Sequence, residues 1–332
     1  MKNYFITGAC GFIGFNLSLR LLKNKNVNII AIDNLSRFGS SKNYNTLKKY
    51  KNFHFYKVDI SNLKKLEKIF QIHKPDTLCH LAAQVAVTFS YDDPISDFHT
   101  NALGSLNLLF LAHKYNKNCY CLYSSTNKVY GSKNFTKPVN MKTLSEPYTP
   151  YGVSKHIGDL YFKEFSSKEF NLRTCVLKQS CIYGPNQFGI EDQGWLIWFL
   201  YKNIFNKKLN IYGNGKQIRD LLYIDDLIDL YLLLIKKKIV GSYPVGGGIK
   251  NSLSLNEAIK LIENLTNHKY QKINYLKKRS GDQDFFVSDN NWAKDKKINW
   301  CPNTSPSEGL KKMLYWIEGN KKLLSKIYDK KL

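Results

Sequence analysis

Residues 5–14 read FITGACGFIG. The apolar run of Tyr4, Phe5 and Ile6 leads into Gly8, Gly11 and Gly14, and the glycines open a segment with helical spacing of apolar residues: Phe12, Ile13, Leu17, Leu19, Leu21 and Leu22. Set as G-x-x-G-x-x-G between a strand and a helix, the glycines supply a tight turn, a close backbone approach to a pyrophosphate and close helix packing. A glycine triplet alone is a weak signal, and its context has to carry it.

Outward from that stretch, Asp33 closes a second apolar run, Val27–Ile32, roughly 20 residues on, where a carboxylate can accept hydrogen bonds from adenosine ribose hydroxyls. Its charge opposes a 2′-phosphate, so NAD is expected over NADP; Arg37, close by, argues the other way. Further apolar runs at Phe53–Val58, Thr77–Ala82, Tyr120–Tyr123 and Thr174–Leu177 alternate with helical patterns. This order predicts an α/β fold with a Rossmann-type doubly wound parallel sheet. Beyond about residue 178 the rhythm breaks. Tyr183-Gly184-Pro185 and Tyr212-Gly213-Asn214-Gly215 mark turns, Trp195–Phe205 reads as an amphipathic helix, and Asn256–Asn264 and Glu308–Trp316 read as two more. The division expected is an NAD-binding Rossmann domain over 1–177 and a smaller C-terminal α/β substrate-binding lobe over 178–330, some of whose segments return to the first domain.

Composition narrows the function. At 332 residues the chain exceeds one typical domain, and 43% hydrophobic with 23% charged residues is ordinary for a globular protein. No apolar run approaches the ~18 residues of a membrane helix, and nothing after Met1 reads as a secretion signal, so a cytoplasmic protein with no membrane partner is expected. The formal charge is +24, but of the 50 basic residues only five are arginine and the lysines are scattered. That is a solvated surface able to gather an anionic small molecule, and it comes with no nucleic-acid motif. The seven cysteines form no C-x-x-C pair, so no metal site is implied and they are expected as small buried hydrophobes; for Cys181, beside Tyr183-Gly184-Pro185, lining a pocket is the alternative to simple packing, which is favoured.

YGVSK, residues 151–155, puts Tyr151 and Lys155 one helical turn apart on one face. An ammonium near a phenol lowers the phenol pKa from ~10 towards the range of a general base.

With these residues in place, the sequence resembles the extended short-chain dehydrogenase/reductase family of nucleotide-sugar epimerases and dehydratases. The resemblance covers essentially the whole chain, through TGACGFIG, HLAAQ, SST, YGVSK, YGP, GKQIRD and a C-terminal NW-P-S-EGL pattern. It implies that Tyr151 is the base, that Lys155 also holds the nicotinamide ribose, and that Thr126 bonds the reacting sugar oxygen. It implies cofactor contacts at Gly8, Gly11, Phe12, Ile13, Gly14, Asp33, Asn34, Asp59, Ile60, Leu81, Ala82 and Ala83. On the substrate side it implies Gln84, Thr126, Asn127, Gln179, Ser180, Cys181, Gln193 and Trp195, with Tyr183 close by, and Arg219 and Arg279 as a clamp on the diphosphate.

The dehydratases of this family carry an Asp-Glu pair after the threonine. Here those positions are Asn127 and Lys128, neither of which is a carboxylic acid. What the resemblance leaves is oxidation of a sugar carbon and its reduction again. The strings AAQVAVTFSYDDP, SSTNKVYG, DQGWLIWF and NGKQIRD are most similar to members that invert C2 of a CDP-linked hexose or deoxyhexose with tightly held NAD, usually as a dimer or tetramer. A C4 epimerase or another enzyme on a related nucleotide sugar, and a non-catalytic NAD-binding sensor, are the alternative readings. Asp284 stands where relatives carry a further arginine and would repel a diphosphate if it pointed inward.

Overall fold

A computed structural model describes residues 1–131 and 135–329. In chain order its elements are β1 (Lys2–Thr7), α1 (Phe12–Leu22), β2 (Val27–Asp33), α2 (Ser40–Leu47), β3 (Phe53–Lys57), α3 (Leu63–His73), β4 (Thr77–His80), α4 (Val87–Asp92), α5 (Pro94–Phe98), α6 (Gly104–Tyr115), β5 (Tyr120–Thr126), α7 (Pro150–Glu164) and β6 (Arg173–Gln179). There follow β7 (Cys181–Tyr183), α8 (Trp195–Ile204), β8 (Leu209–Tyr212), β9 (Ile218–Tyr223), α9 (Ile224–Lys237), β10 (Gly241–Val245), β11 (Ser252–Ser254), α10 (Leu255–Thr266), β12 (Ile273–Leu276), β13 (Phe285–Phe286), α11 (Trp292–Asp295), α12 (Pro306–Gly319) and α13 (Lys321–Asp329).

All six apolar runs read as strands lie in one parallel sheet, ordered β3-β2-β1-β4-β5-β6-β10. The order reverses beside β1, which leaves a crevice outside the carboxyl ends of β1 and β4 where ligands of open α/β sheets bind. β2 is buried over nearly its whole length and β1 over its carboxyl-terminal half, as strands covered on both faces must be. The chain leaves the sheet after β6 and returns to it in β10, which pairs with β6 from Gly241↔Cys175 to Val245↔Gln179. Between and after these strands, β9 takes β7, β11 and β13 as neighbours, and β8 pairs with β12.

Two features position the chemistry. At the start of α1, Gly8 has φ of +67°, and a Cβ on Gly14 would stand 2.1 Å from the Gly8 carbonyl oxygen, so only glycine lets the helix begin that close under the turn. At the start of α7, the Thr149 side chain accepts from Gly152 N with Pro150 in the first turn, which fixes where Tyr151 and Lys155 face.

The helix read as amphipathic at Trp195–Phe205 is α8, but Leu196–Tyr201 and Asn203 are all buried. It is a core helix, covered on several sides by α10, α12 and α13, because its polar residues are too few to make a wet face. The cysteines are free; five are buried and Cys301 is exposed. Among the described residues, no helix is long and apolar enough to cross a membrane and no cluster of side chains is arranged to hold a metal ion.

Candidate active site

The turn after β1 and the ends of β2 and β4 build a cradle. Asp33, 7% exposed at the end of β2, accepts from Cys10 N at 2.9 Å and Leu35 N at 2.7 Å. Burial pushes its carboxyl up, and these two N–H groups work against that. Asn34 donates to Asp59 at 2.8 Å, and Asp59 also accepts from Ser61, which together hold its carboxyl below its ordinary value against the effect of burial. Ile60 is buried against Gly104, where any Cβ would come within 2.6 Å of it. The Thr7 hydroxyl accepts from Leu81 N and Ala82 N, both at 3.2 Å, and so draws that turn against Gly8, whose own Cβ would stand 2.7 Å from Ala82 N. Three glycines, of which Gly8 and Gly14 leave no room for a larger residue, an acid at the second strand end and a helix N-terminus fit a dinucleotide.

From this cradle a cavity of about 370 Å³ runs across the ends of β5, β6 and β7 to β8. Of the residues expected at the site, it is lined by Phe12, Ile13, Leu81, Ala83, Thr126, Asn127, Tyr151, Lys155, Gln179, Ser180, Cys181, Gln193, Trp195, Arg219 and Arg279, with Tyr183 among them. Gly8, Gly11, Gly14, Asp33, Asn34, Asp59, Ile60 and Ala82 belong to the cradle and not to this cavity. Gln84 is the expected substrate contact that the cavity does not include. Its amide donates to Asp97 at 2.7 Å and Ala86 O at 2.8 Å and accepts from Ala86 N at 2.6 Å, so it fastens the α4–α5 segment.

Thr126 stands by the Tyr151 phenol and works to lower its pKa. Burial outweighs it, and Tyr151 is pushed up to about 12. Lys155, also buried, is brought down to about 7, with Asp159 and Asp97 opposing. Its ammonium group donates to Ser124 O at 2.7 Å and lies 4.1 Å from the centre of the Tyr123 ring. The lowered phenol expected from the Tyr-Lys spacing is therefore corrected: desolvation acts on both groups, and Lys155 is turned to a carbonyl and a ring face.

Around the cavity, several expected substrate contacts are already bonded within the protein. Gln179 accepts from Ser124 at 3.2 Å and donates to Tyr231, and Ser180 donates to Asp220. Gln193 accepts from Arg37, so that guanidinium is held at the cavity wall. Trp195 donates to Cys181 Sγ at 3.4 Å. Asn127 donates to Gln283 at 3.2 Å.

Four charged residues unassigned by the sequence reading also line it: Lys128, Glu191, Asp192 and Asp282. Lys128 donates to Gly281 O at 3.0 Å and sits 3.8 Å from Asp282, and Arg219 reaches the same carboxylate at 3.3 Å. Burial, with Arg219 adding to it, takes Lys128 down to about 8. Arg279 stacks 3.7 Å from the Tyr212 ring centre and pairs with Asp192 at 3.1 Å. Glu191 lies between β7 and α8. Lys128 and Glu191 carry no motif, and only the sequence SGDQ beside Arg279 hinted that Asp282 belonged here. Asp284 does not point inward: its side chain is 61% exposed and paired with Lys278.

Residues 4–246 match the family described as the NAD dependent epimerase/dehydratase family. The chain is 40% identical to a CDP-paratose 2-epimerase of Salmonella typhi over 94% of its length and 98% of that protein's. It superposes with a TM-score of 0.86 on a UDP-glucose 4-epimerase of Thermotoga maritima bound to UDP-glucose, at 31% identity over 96% of this chain and 99% of that one. A UDP-glucuronic acid 4-epimerase of Bacillus cereus, in complex with UDP-glucuronic acid and NAD, gives 0.85 at 29% identity over 96% and 99%. Cradle, tyrosine, lysine and threonine are thus carried on a fold shared along nearly the whole length of these enzymes, and the chain belongs to the NAD dependent epimerase/dehydratase family.

Proposed function

We propose that the protein inverts C2 of a nucleotide-diphosphate hexose or deoxyhexose, of the CDP-paratose to CDP-tyvelose kind. The observation that carries this reading is the similarity over 94% of the chain to a CDP-paratose 2-epimerase, set beside a cavity in which Asn127 and Lys128 follow Thr126 and no carboxylic acid does. NAD is the cofactor; when bound in the cradle it supplies the oxidising and reducing equivalents of the cycle, which leaves it unconsumed.

The chain's own residues have three tasks. Tyr151 takes the proton of the C2 hydroxyl as a phenolate, a form that the positive charges of Lys155 and of the bound nicotinamide would favour against the burial that holds the phenol at about 12 in the protein alone, and gives a proton back on the return; Thr126 orients that oxygen. Lys155 holds positive charge beside the nicotinamide ribose. Arg219 and Arg279, with Lys128 between them and Thr126, hold the diphosphate; Asp282 and Asp192 pair with the two arginines in the protein alone and exchange for phosphate oxygens. Residues 1–177 bind the cofactor and the lobe within 178–330 binds the sugar nucleotide, β10 excepted. The enzyme works as a homo-oligomer.

A second reading, inversion at C4, is supported by the 4-epimerases of the same fold at TM-scores of 0.86 and 0.85. Both are separated by one experiment. Protein carrying NAD is incubated with CDP- and UDP-hexoses in D₂O, and the product is assigned by NMR. C2 inversion with no deuterium at C2 is expected. Inversion at C4 replaces this reading by the second; deuterium at the inverted carbon, or loss of water from the sugar, ends both.

A further inference from the structure

Where β8 lines the cavity, one carboxylate is held with unusual definition. Glu191 stands in a tight loop closed by Ile190 and Gln193, which bond each other's backbone at 2.8 and 3.0 Å. Its Oε1 accepts from Asn210 Nδ2 at 2.9 Å and from the Tyr212 hydroxyl at 3.0 Å. Asn210 in turn accepts from Asn274 at 3.1 Å, an arrangement that turns its amide nitrogen towards Glu191. Among the described residues none donates to Oε2. The same residue's backbone oxygen accepts from Arg279 at 3.2 Å, and that guanidinium lies over the Tyr212 ring. Lys202, over the Trp198 ring, is the cation facing the carboxylate from α8.

A carboxylate is an acceptor only, so whatever approaches Oε2 from the cavity must donate. If Arg279 holds a phosphate, the nucleoside beyond it lies against this loop and β8. Cytosine presents an exocyclic amine at the ring position where uracil and thymine present a carbonyl oxygen. We infer that Glu191 is a specificity-determining residue that reads the nucleotide base by accepting an N–H from an exocyclic amine, admitting cytosine and turning away uracil and thymine. The inference rests on the nucleotide-sugar reading above and adds to it a reason for the base.

The test uses CDP and UDP as probes, titrated calorimetrically into the NAD-carrying protein. The wild type is expected to bind CDP at least about 10-fold more tightly than UDP, the discrimination of one good base contact. Glu191→Gln keeps the shape but can turn either a carbonyl or an amide N–H to the base, so the ratio should close to within about threefold with NAD retained. Tyr212→Phe keeps the ring under Arg279, removes one of the two donors that hold Oε1 in place, and should lower the ratio as well; should the Gln variant lose NAD, this variant decides. Equal binding of CDP and UDP by the wild type overturns the inference and leaves the nucleotide-sugar reading intact. A ratio unchanged in the variants overturns it too, whereas binding of neither nucleotide overturns both.

Discussion

Tyr151 and Lys155 show how far two side chains depend on what surrounds them. Both are buried on one face of α7, and burial moves the phenol and the ammonium in opposite directions, up to about 12 and down to about 7. Tyr151→Phe keeps the volume and removes the proton-carrying oxygen; turnover should fall by ~10²–10⁴-fold while NAD content stays at the wild-type level. Unchanged turnover would mean that another group takes the proton. The lysines make a separate prediction about stability. A lysine with a lower pKa in the folded chain than in the unfolded one binds its proton mainly in the unfolded chain, so stability rises with pH above the folded value. For Lys155 the window opens near pH 7 and closes near the ordinary 10.5, and for Lys128 it opens near 8. Each contributes up to about 1.4 kcal/mol per pH unit inside its window. Buried thiols such as Cys79, raised from an ordinary 9.0, oppose this at higher pH, so the comparison belongs below pH 9. Urea unfolding at pH 7.0 and 8.5 should show the wild type gaining stability and Lys155→Met gaining less. Equal gains would show that Lys155 is charged in the folded protein.

At the scale of one element, the opening of α1 decides whether the cradle exists. A Cβ on Gly14 would stand 2.1 Å from Gly8 O and 2.8 Å from Ala9 Cα, both backbone, whereas a Cβ on Gly11 would meet only Gly8 O, at 3.2 Å. Backbone cannot swing aside as a side chain can, so Gly14→Ala must lift the helix off the turn at a cost of about 1–3 kcal/mol, the range for overpacking. Gly11→Ala asks for a shift of a few tenths of an ångström. The two variants should therefore separate in both melting temperature and NAD content, with Gly14→Ala lower in each. α8 is the contrasting element: its sequence suggested a wet face, and the packing of α10, α12 and α13 around it removed that face.

Across the whole molecule, the end of the parallel sheet at β5 and the segments that follow β9 are stitched together at Gln283. It is fully buried, accepts from Asn127 at 3.2 Å and donates to Gly131 O at 2.7 Å. Gln283→Ala leaves a donor and a carbonyl unpaired beside Thr126, which should destabilise the fold by about 1–3 kcal/mol. Under the function proposed above it should also raise KM more than it lowers kcat, since the segment displaced would hold substrate and would not carry the proton; a loss confined to kcat would contradict that. The sequence by itself determined the parallel sheet, the glycine turn, Asp33 and the Tyr151–Lys155 face, because each depends on neighbours a few residues away and on periods of two or 3.6. β7, β11 and β13, two or three residues each, lay below that resolution. Only the tertiary structure decided that Asp284 turns out to Lys278, that Gln84 is tied to Asp97, that Arg37 is held by Gln193, and that Lys128, Arg219 and Asp282 share one pocket. Lys128 and Gly281 are 153 positions apart in the chain, and Arg37 and Gln193 are 156 apart. Such contacts leave no period in a sequence. They exist because the sheet order carries distant strand ends to one crevice, and burial there sets which charges pair and which pKa values move.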